Sequence, residues 1–387
     1  MKFTAVSQES LLEGAEILKN GGIVAFPTET VYGLGADAFN PQALARVFEV
    51  KGRPHFDPLI IHIAAVETLE KTADFSRLSK EKRKILSLLA ENFWPGPLSI
   101  ILPKNEKIPG IAVSGLSTAA IRFPDNEAAQ KLISLSTGAI AAPSANPFGA
   151  LSPTRAEHVR DSLGEKIDMI LDGGSSRIGV ESTVIDISGD SIKILRPGGT
   201  PREAIGEKLG IRDEELGIRN EELGIRNEEL GIRSEGLGIR SEGLGIRSEG
   251  LGIRSEGLGI RDEGFGVVSP GGLASHYAPG TPLFVLSRDE IVNKRCEVDD
   301  SADQKMAFLF FDGAARETWR KAQMHHDEII VKVLSESGSM TEAASRFFEI
   351  LHELDNCGAS RIYAQAAPPE GLGEAINDRL RRGSFKE

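Results

Sequence analysis

Five short stretches gather the side chains that could do chemistry: PTETVYGLG (27–35), KGRP (51–54), STAAIRFP (117–124), PSANPFGALSPT (143–154) and ILRPGG (194–199). Lys51, Arg53, Arg122 and Arg196 could hold phosphates or a carboxylate, the arginines in a forked, two-bond manner. Ser144, Asn146 and Ser152 add short polar groups in a loop bent by proline and glycine. His62 interrupts the apolar run PLIIHI (58–63). Each also has a structural reading when taken singly. Lys51 and Arg53 follow a helix C-terminus, where the dipole favours cations. A serine–proline turn is commonly structural, and His62 can be a satisfied core histidine. Taken together, the clusters suit chemistry on anions. Nucleophile and dinucleotide signatures are missing: no GxxxxGKS/T loop, no GxGxxG and no GxSxG occurs. His325 and His326 are adjacent, so they cannot share a helix face as metal ligands would.

These clusters need a scaffold that brings many loops together. Up to residue 209 the chain alternates strand-like and helix-like stretches, the pattern of an α/β domain. GGIVAFPTET reads as a buried strand entering a polar turn. Asn40 and Pro41 form a helix start, with Leu44, Val47 and Phe48 as its apolar face and Gly52 and Pro54 as its end. Further strands are expected at 58–63, 97–103, 139–146 and 182–188. In open α/β sheets, ligands settle where strand ends and loops converge. After residue 266, strands are expected at 283–286 and 306–311, and an amphipathic helix over SMTEAASRFFEILHELD, with His352 as a surface or packing residue.

Between these regions, eight consecutive seven-residue units (Gly210 to Phe265) follow the pattern GIR-polar-Glu-Glu/Gly-Leu/Phe. Their apolar residues are spaced by five and two, not the three and four of a coiled-coil seam, and the last five units carry two glycines each. The array is expected to be a flexible linker (210–265) between domains at 1–209 and 266–387. A Gly-rich coil of that length spans on the order of 40 Å.

The chain has 387 residues and a net charge of −12. Residues 1–209 are nearly neutral, with 23 basic and 25 acidic side chains, so no global basic excess marks a dedicated nucleic-acid binder. Two cysteines exclude a disulfide framework or a four-cysteine zinc site. No apolar run approaches the roughly 18 residues that span a bilayer, and no basic-then-apolar leader is visible. A cytoplasmic protein without membrane contact is expected.

The clusters, in this order and wording, resemble the YrdC-type domain of threonylcarbamoyl-AMP synthases. PTETVYGLG, KGRP, PLIIHI, WPGPLSIIL, STAAIRFP, PSAN…SPT, STV and LRPG carry the likeness across residues 10–205. SPG…HYAPGTPL (269–283) and LHELDNCGASRIYAQAAPPEGLGEAINDRL (351–380) resemble the second domain of the longer form. The resemblance implies a twisted, open mixed sheet with helices, plus a smaller, Rossmann-like α/β domain. It implies a nucleotidyltransferase that joins L-threonine, bicarbonate and ATP, with magnesium, and releases pyrophosphate. A downstream tRNA threonylcarbamoyl transferase complex would then modify the adenosine 3′ of the anticodon, with at most transient tRNA contact here. Carried over by motif, Thr30, His62, Arg122, the backbone around Ala142, and Ser182 would bind threonine. Arg53, Asp57, Thr118, Ser144, Asn146, Ser152 and Arg196 would bind ATP, with Lys51 and Arg53 stabilising the transferring phosphate.

Two departures from the family pattern stand out. Asp57 lies where asparagine is common, and GLAS (Gly272–Ser275) replaces a Met-basic/Leu-Tyr-Arg stretch, which leaves Tyr277 as the aromatic candidate for covering the site. A hydrogenase maturation protein with a similar domain would need cysteine-rich zinc modules, which two cysteines cannot supply. The alternative from another class is a double-stranded RNA-binding module that reads shape without turnover.

Overall fold

The structure is a computed structural model that describes residues 1–212, 216–218, 276–294, 305–322 and 329–384. Residues 1–218 and 267–387 cluster as one compact unit. Its larger sheet comprises β1 (Lys2–Ala5), β2 (Val24–Phe26), β3 (Gly33–Asp37), β4 (Ile60–Ile63), β5 (Leu98–Pro103), β6 (Thr118–Arg122), β7 (Ala139–Ala141), β8 (Met169–Asp172), β9 (Thr183–Asp186), β10 (Lys193–Arg196) and β11 (Gly217–Ile218). Their order across the sheet is β1-β8-β2-β3-β7-β4-β6-β5-β9-β10-β11. Pairing is mixed: β4 runs parallel to β6, while β5 runs antiparallel to β6 and parallel to β9.

The register explains how the sheet divides its labour. Side chains alternate between faces along a strand. Ile61, Ile63, Leu98, Ile100, Leu102, Ala119, Ile121, Ile185 and Ile194 all enter the main core, with Leu44, Val47, Phe48, Leu86 and Leu89 from two helices. The alternate residues bear the chemistry. His62 pairs in register with Arg122, Arg122 with Ser99, and Ser99 with Val184, itself paired with Arg196. Ile60, Ile101, Ala120, Val184 and Leu195 form a separate small apolar cluster. One face is thus sealed by helices, and the other combines cations with a low apolar floor.

The helix Pro41–Lys51 forms as its local chemistry dictates. The Asn40 side chain accepts from the backbone N–H of Gln42 and Ala43, Pro41 sits in the first turn, and Gly52 closes the end at φ 61°. This places Lys51 and Arg53 at a defined corner of the sheet.

The second sheet holds β12 (Leu283–Leu286), β13 (Met306–Asp312), β14 (Ile329–Ser335) and β15 (Arg361–Gln365), ordered β12-β15-β13-β14 and entirely parallel. Along β13, Ala307, Leu309 and Phe311 join a core shared with Val31, Leu151 and Val180 of the first sheet's loops. Phe308 and Phe310 point the other way, onto Trp319 and Tyr363. The expected strands and the helix Met340–Asp355 are present, but His352 does more than sit on the surface: its Nε2 lies 3.1 Å from the Ser152 carbonyl. Within the repeat, Leu216 is buried and β11 pairs parallel with β10. Gly210 closes the helix Arg202–Leu209 and Ile211 packs against the main core, whereas residues 213–215 and 219–265 of the proposed linker, and the GLAS stretch, lie outside the described residues. No described helix is long and apolar enough to cross a membrane.

Candidate active site

A cleft opens on the polar face of the larger sheet. Thr30, Arg53, His62, Arg122, Ala142, Ser144, Ser182, Arg196 and Tyr277 all line it. Eight residues from the five clusters and the strands and loops beside them, plus one from the HYAP stretch, therefore meet around one space.

Arg122 and His62 stand side by side at one end. Arg122 donates from Nε to the Gly96 carbonyl (3.2 Å) and pairs through Nη2 with Glu29 (2.6 Å). The Glu29 carboxylate is buried. His62 donates from Nδ1 to the Ile60 carbonyl at 3.2 Å, a role forced by an acceptor-only partner. Burial, reinforced by the Arg122 charge, pushes its pKa down to about 3, so the ring is neutral near pH 7. Thr30 is tied to Thr28 through their hydroxyls at 2.9 Å.

Across the cleft, Arg196 donates to the Ser182 carbonyl from both Nε (3.1 Å) and Nη2 (2.9 Å), and to the Ser182 hydroxyl (3.1 Å). That hydroxyl also meets Ser99 Oγ at 2.8 Å. Arg53 is clamped by the carbonyls of Asp57 (3.0 Å) and Pro58 (2.8 Å) and by the Asp57 carboxylate (2.9 Å). The departure at Asp57 is thus accounted for: its charge is spent on Arg53.

Five expected site residues stand outside the cleft lining. Lys51 is buried behind it, donating to the carbonyls of Ser144 (2.6 Å) and Asn146. Burial, and then the Arg53 charge, pushes its pKa well below the usual value. In this geometry Lys51 holds the PSAN loop. Asp57 is wholly buried under Arg53. Asn146 is turned inward, donating to the carbonyls of Pro147 and Ala150. Ser152 is also inward, donating to Glu181. Thr118 shares the cleft-side face of β6 with Arg122 but sits at its other end, about 13 Å along the strand.

Among the lining residues that the sequence reading passed over are Glu181, His276 and Thr28. All three fall in or beside motifs already singled out, but nothing in their types distinguished them from neighbours. Tyr277 is buried with φ at 63°, a left-handed backbone that bulky residues rarely adopt. Its hydroxyl and His276 Nδ1 are buried without hydrogen-bond partners. Burial, and then the charges of Arg53, Lys51 and Arg196, holds the His276 pKa well down. Neutral, unpartnered polar atoms beside three cations are positioned to meet an anionic ligand.

The chain is similar to known proteins over nearly its whole length. A family model described as "Telomere recombination" matches residues 16–198, and one described as "Threonylcarbamoyl-AMP synthase, C-terminal domain" matches residues 251–384. The threonylcarbamoyl-AMP synthase of Pyrococcus abyssi is 36% identical over 372 residues, covering 96% of this chain and 92% of the relative. That of Bacillus subtilis is 33% identical over 385 residues, covering 98% and 94%. The solved structure of P. abyssi Sua5 complexed with L-threonine aligns with a TM-score of 0.73 at 33% identity, covering 99% of this chain and 96% of that one.

Proposed function

The chain belongs to the threonylcarbamoyl-AMP synthase family, and from that premise we propose how its cleft divides the work between an amino acid and a nucleotide. The observation that carries this reading is the pairing of two differently built ends around one space. At the first end, Arg122 takes the threonine carboxylate in a charge-assisted bond, preorganised by Glu29 and the Gly96 carbonyl. Thr30 and a neutral His62 read the hydroxyl, and the backbone at Ala142 and the Ser182 hydroxyl complete the seat. At the second end, Arg53, Ser144 and Arg196 receive the triphosphate of ATP, with Tyr277 above it. The floor of Ile60, Ala120, Val184 and Leu195 offers a flat apolar surface of the kind a purine ring rests on.

The threonine amine adds to the carbonyl carbon of bicarbonate with loss of water. A carboxylate oxygen of the resulting carbamate attacks the α-phosphorus of ATP, and pyrophosphate leaves. Such a displacement needs reactants held in line and negative charge offset by preorganised donors, more than it needs a covalent intermediate. Arg53 and Arg196 supply that charge, and Lys51 supports them by fixing the loop that carries Ser144. The described residues hold no group of three or more His, Cys, Asp or Glu that could cage a metal. Glu29, Asp57 and Glu181 are each engaged by an arginine. Magnesium would therefore enter with the triphosphate as part of the substrate. The product would pass in the cytoplasm to a tRNA-modifying transferase, with tRNA contact here weak or transient.

Pyrophosphate release, measured with threonine, bicarbonate and ATP and with each omitted in turn, tests the proposal. Release should require all three. Release indifferent to threonine would refute it, and salt-sensitive duplex RNA binding without turnover would favour an RNA-binding module.

A further inference from the structure

We propose that Arg379, carried by the helix Leu372–Ser384 behind the second sheet, is a positioning residue for the cleft on the first. Its side chain is fully buried. Nε donates to Glu181 Oε2 at 2.9 Å, Nη1 donates to the Pro197 carbonyl, and the guanidinium lies over the Tyr277 ring, 5.3 Å from its centre. These three targets belong to three walls of the cleft. Glu181 accepts from the Ser152 hydroxyl through its other oxygen, and its backbone carbonyl accepts from Gly199 N–H at 2.9 Å. Pro197 follows Arg196, and Ser182 follows Glu181. One side chain from the second domain therefore sets the SPT loop, the RPGG loop and the aromatic residue of HYAP at once.

The same wall is gripped again two residues earlier. Gly179 lies so close to the helix Met340–Asp355 that a Cβ would stand 2.3 Å from the Ala344 carbonyl oxygen. The segment 179–182 is thus backed from outside by two helices of the second sheet.

Arg379 also settles a charge problem. Glu181 is a buried carboxylate lining a space that must admit two anions, and at low local dielectric an unpaired charge there would repel both. Arg379 also pairs through Nη1 with Asp378 at 3.3 Å, a carboxylate that Arg381 and Arg382 share at 3.1 and 3.0 Å, while its Nε is left to Glu181.

The inference rests on the functional reading above, and its test separates the two. Arg379→Met should raise KM for ATP and lower kcat/KM by about 10- to 100-fold. Adding Glu181→Gln to it should return KM toward the wild-type value, because the repulsive charge is gone. A purely structural role would lower thermal stability while leaving the kinetic constants of the folded fraction unchanged, and would show no such recovery. Amide hydrogen exchange over 179–183 reads the wall without turnover and should quicken in Arg379→Met. Unchanged exchange with unchanged KM, or a double variant no better than the single, would overturn the proposal. Should Arg379→Met not accumulate in folded form, the double variant is compared with Glu181→Gln alone. Faster exchange only in the double supports the proposal, and equal exchange overturns it. A wild-type protein lacking threonine-dependent pyrophosphate release would fault the functional reading, and the exchange comparison would still decide the role of Arg379.

Discussion

The two sheets treat buried charge in opposite ways. The first buries Glu29, Lys51, Arg53, Asp57, Arg122, Glu181 and Arg196 on or beside its cleft face. Among the described residues of the second, the buried charged side chains are Asp378 and Arg379, and Arg379 serves the first sheet. Away from that junction the second sheet is built on Phe308, Phe310, Trp319 and Tyr363. Buried ions cost several kcal/mol each unless paired, so a protein accumulates them where binding requires it. The contrast separates a working sheet from one that braces it.

That separation can be broken by substitution on either side. Phe308→Ala removes a fully buried ring on the face of β13 turned away from the cleft. It should cost about 3–5 kcal/mol of stability by chemical denaturation. At a temperature where the variant is folded, its kcat and KM should match the wild type. A changed KM would show that the second sheet shapes the cleft through its whole core and not through Arg379 alone. Arg122→Met tests the opposite side. It should lower kcat/KM for threonine about 100-fold, about 2.7 kcal/mol of transition-state stabilisation, with KM for ATP little altered. Equal effects on both substrates would erase the division between the two ends of the cleft.

How much of this was legible follows the range of each interaction. The helix Pro41–Lys51 could be read because Asn40, Pro41 and Gly52 act within a few residues of one another. The strands could be read because apolar alternation is local. Thirteen of the residues that the resemblance implies stand in the cleft or directly behind one of its walls, and Thr118 lies along its floor strand. What could not be read was which side chain faces which. Lys51 and Arg53 are two residues apart and both are tethered to carbonyls, yet of the two it is Arg53 that lines the cleft. Glu181 and Arg379 are 198 residues apart, and neither residue type announces its partner. The order β12-β15-β13-β14 was equally hidden, since crossover connections between parallel strands leave no mark on strand composition.

Glycines sharpen the comparison at the junction itself. Gly174 and Gly179 share a φ of 78°, but a Cβ on Gly174 meets open space while one on Gly179 meets the backbone of Ala344 and Ser345. Gly174→Ala should cost about 1 kcal/mol from left-handed strain. Gly179→Ala should cost about 2 kcal/mol or more, since overpacking is added, and should raise KM by displacing the cleft wall. Equal losses in thermal denaturation would mean that the helix Met340–Asp355 yields and does not brace the wall.

The smallest effect concerns acid. His158 stacks on His352 across the junction, ring centres 4.0 Å apart, with Arg155, Asp161 and Asp355 around them. Burial, then the proximity of His352, pushes the His158 pKa down to about 4, and burial lowers that of His352 as well. An unfolded histidine titrates near 6.5. Between about pH 6.5 and 4 the unfolded chain therefore binds more protons than the folded one, so stability rises with pH and is lost on acidification. His62 and His276 act in the same direction within the first sheet's cleft. His352→Gln keeps a donor for the Ser152 carbonyl while removing one ring of the stacked pair. Its unfolding free energy should fall less steeply than the wild type's between pH 6.5 and 5, by a slope difference below about 1.4 kcal/mol per pH unit because the stacked pair is only partly buried. An unchanged slope would assign the acid sensitivity to His62 and His276, which would make the working sheet, and not its brace, the part that fails first as protons are added.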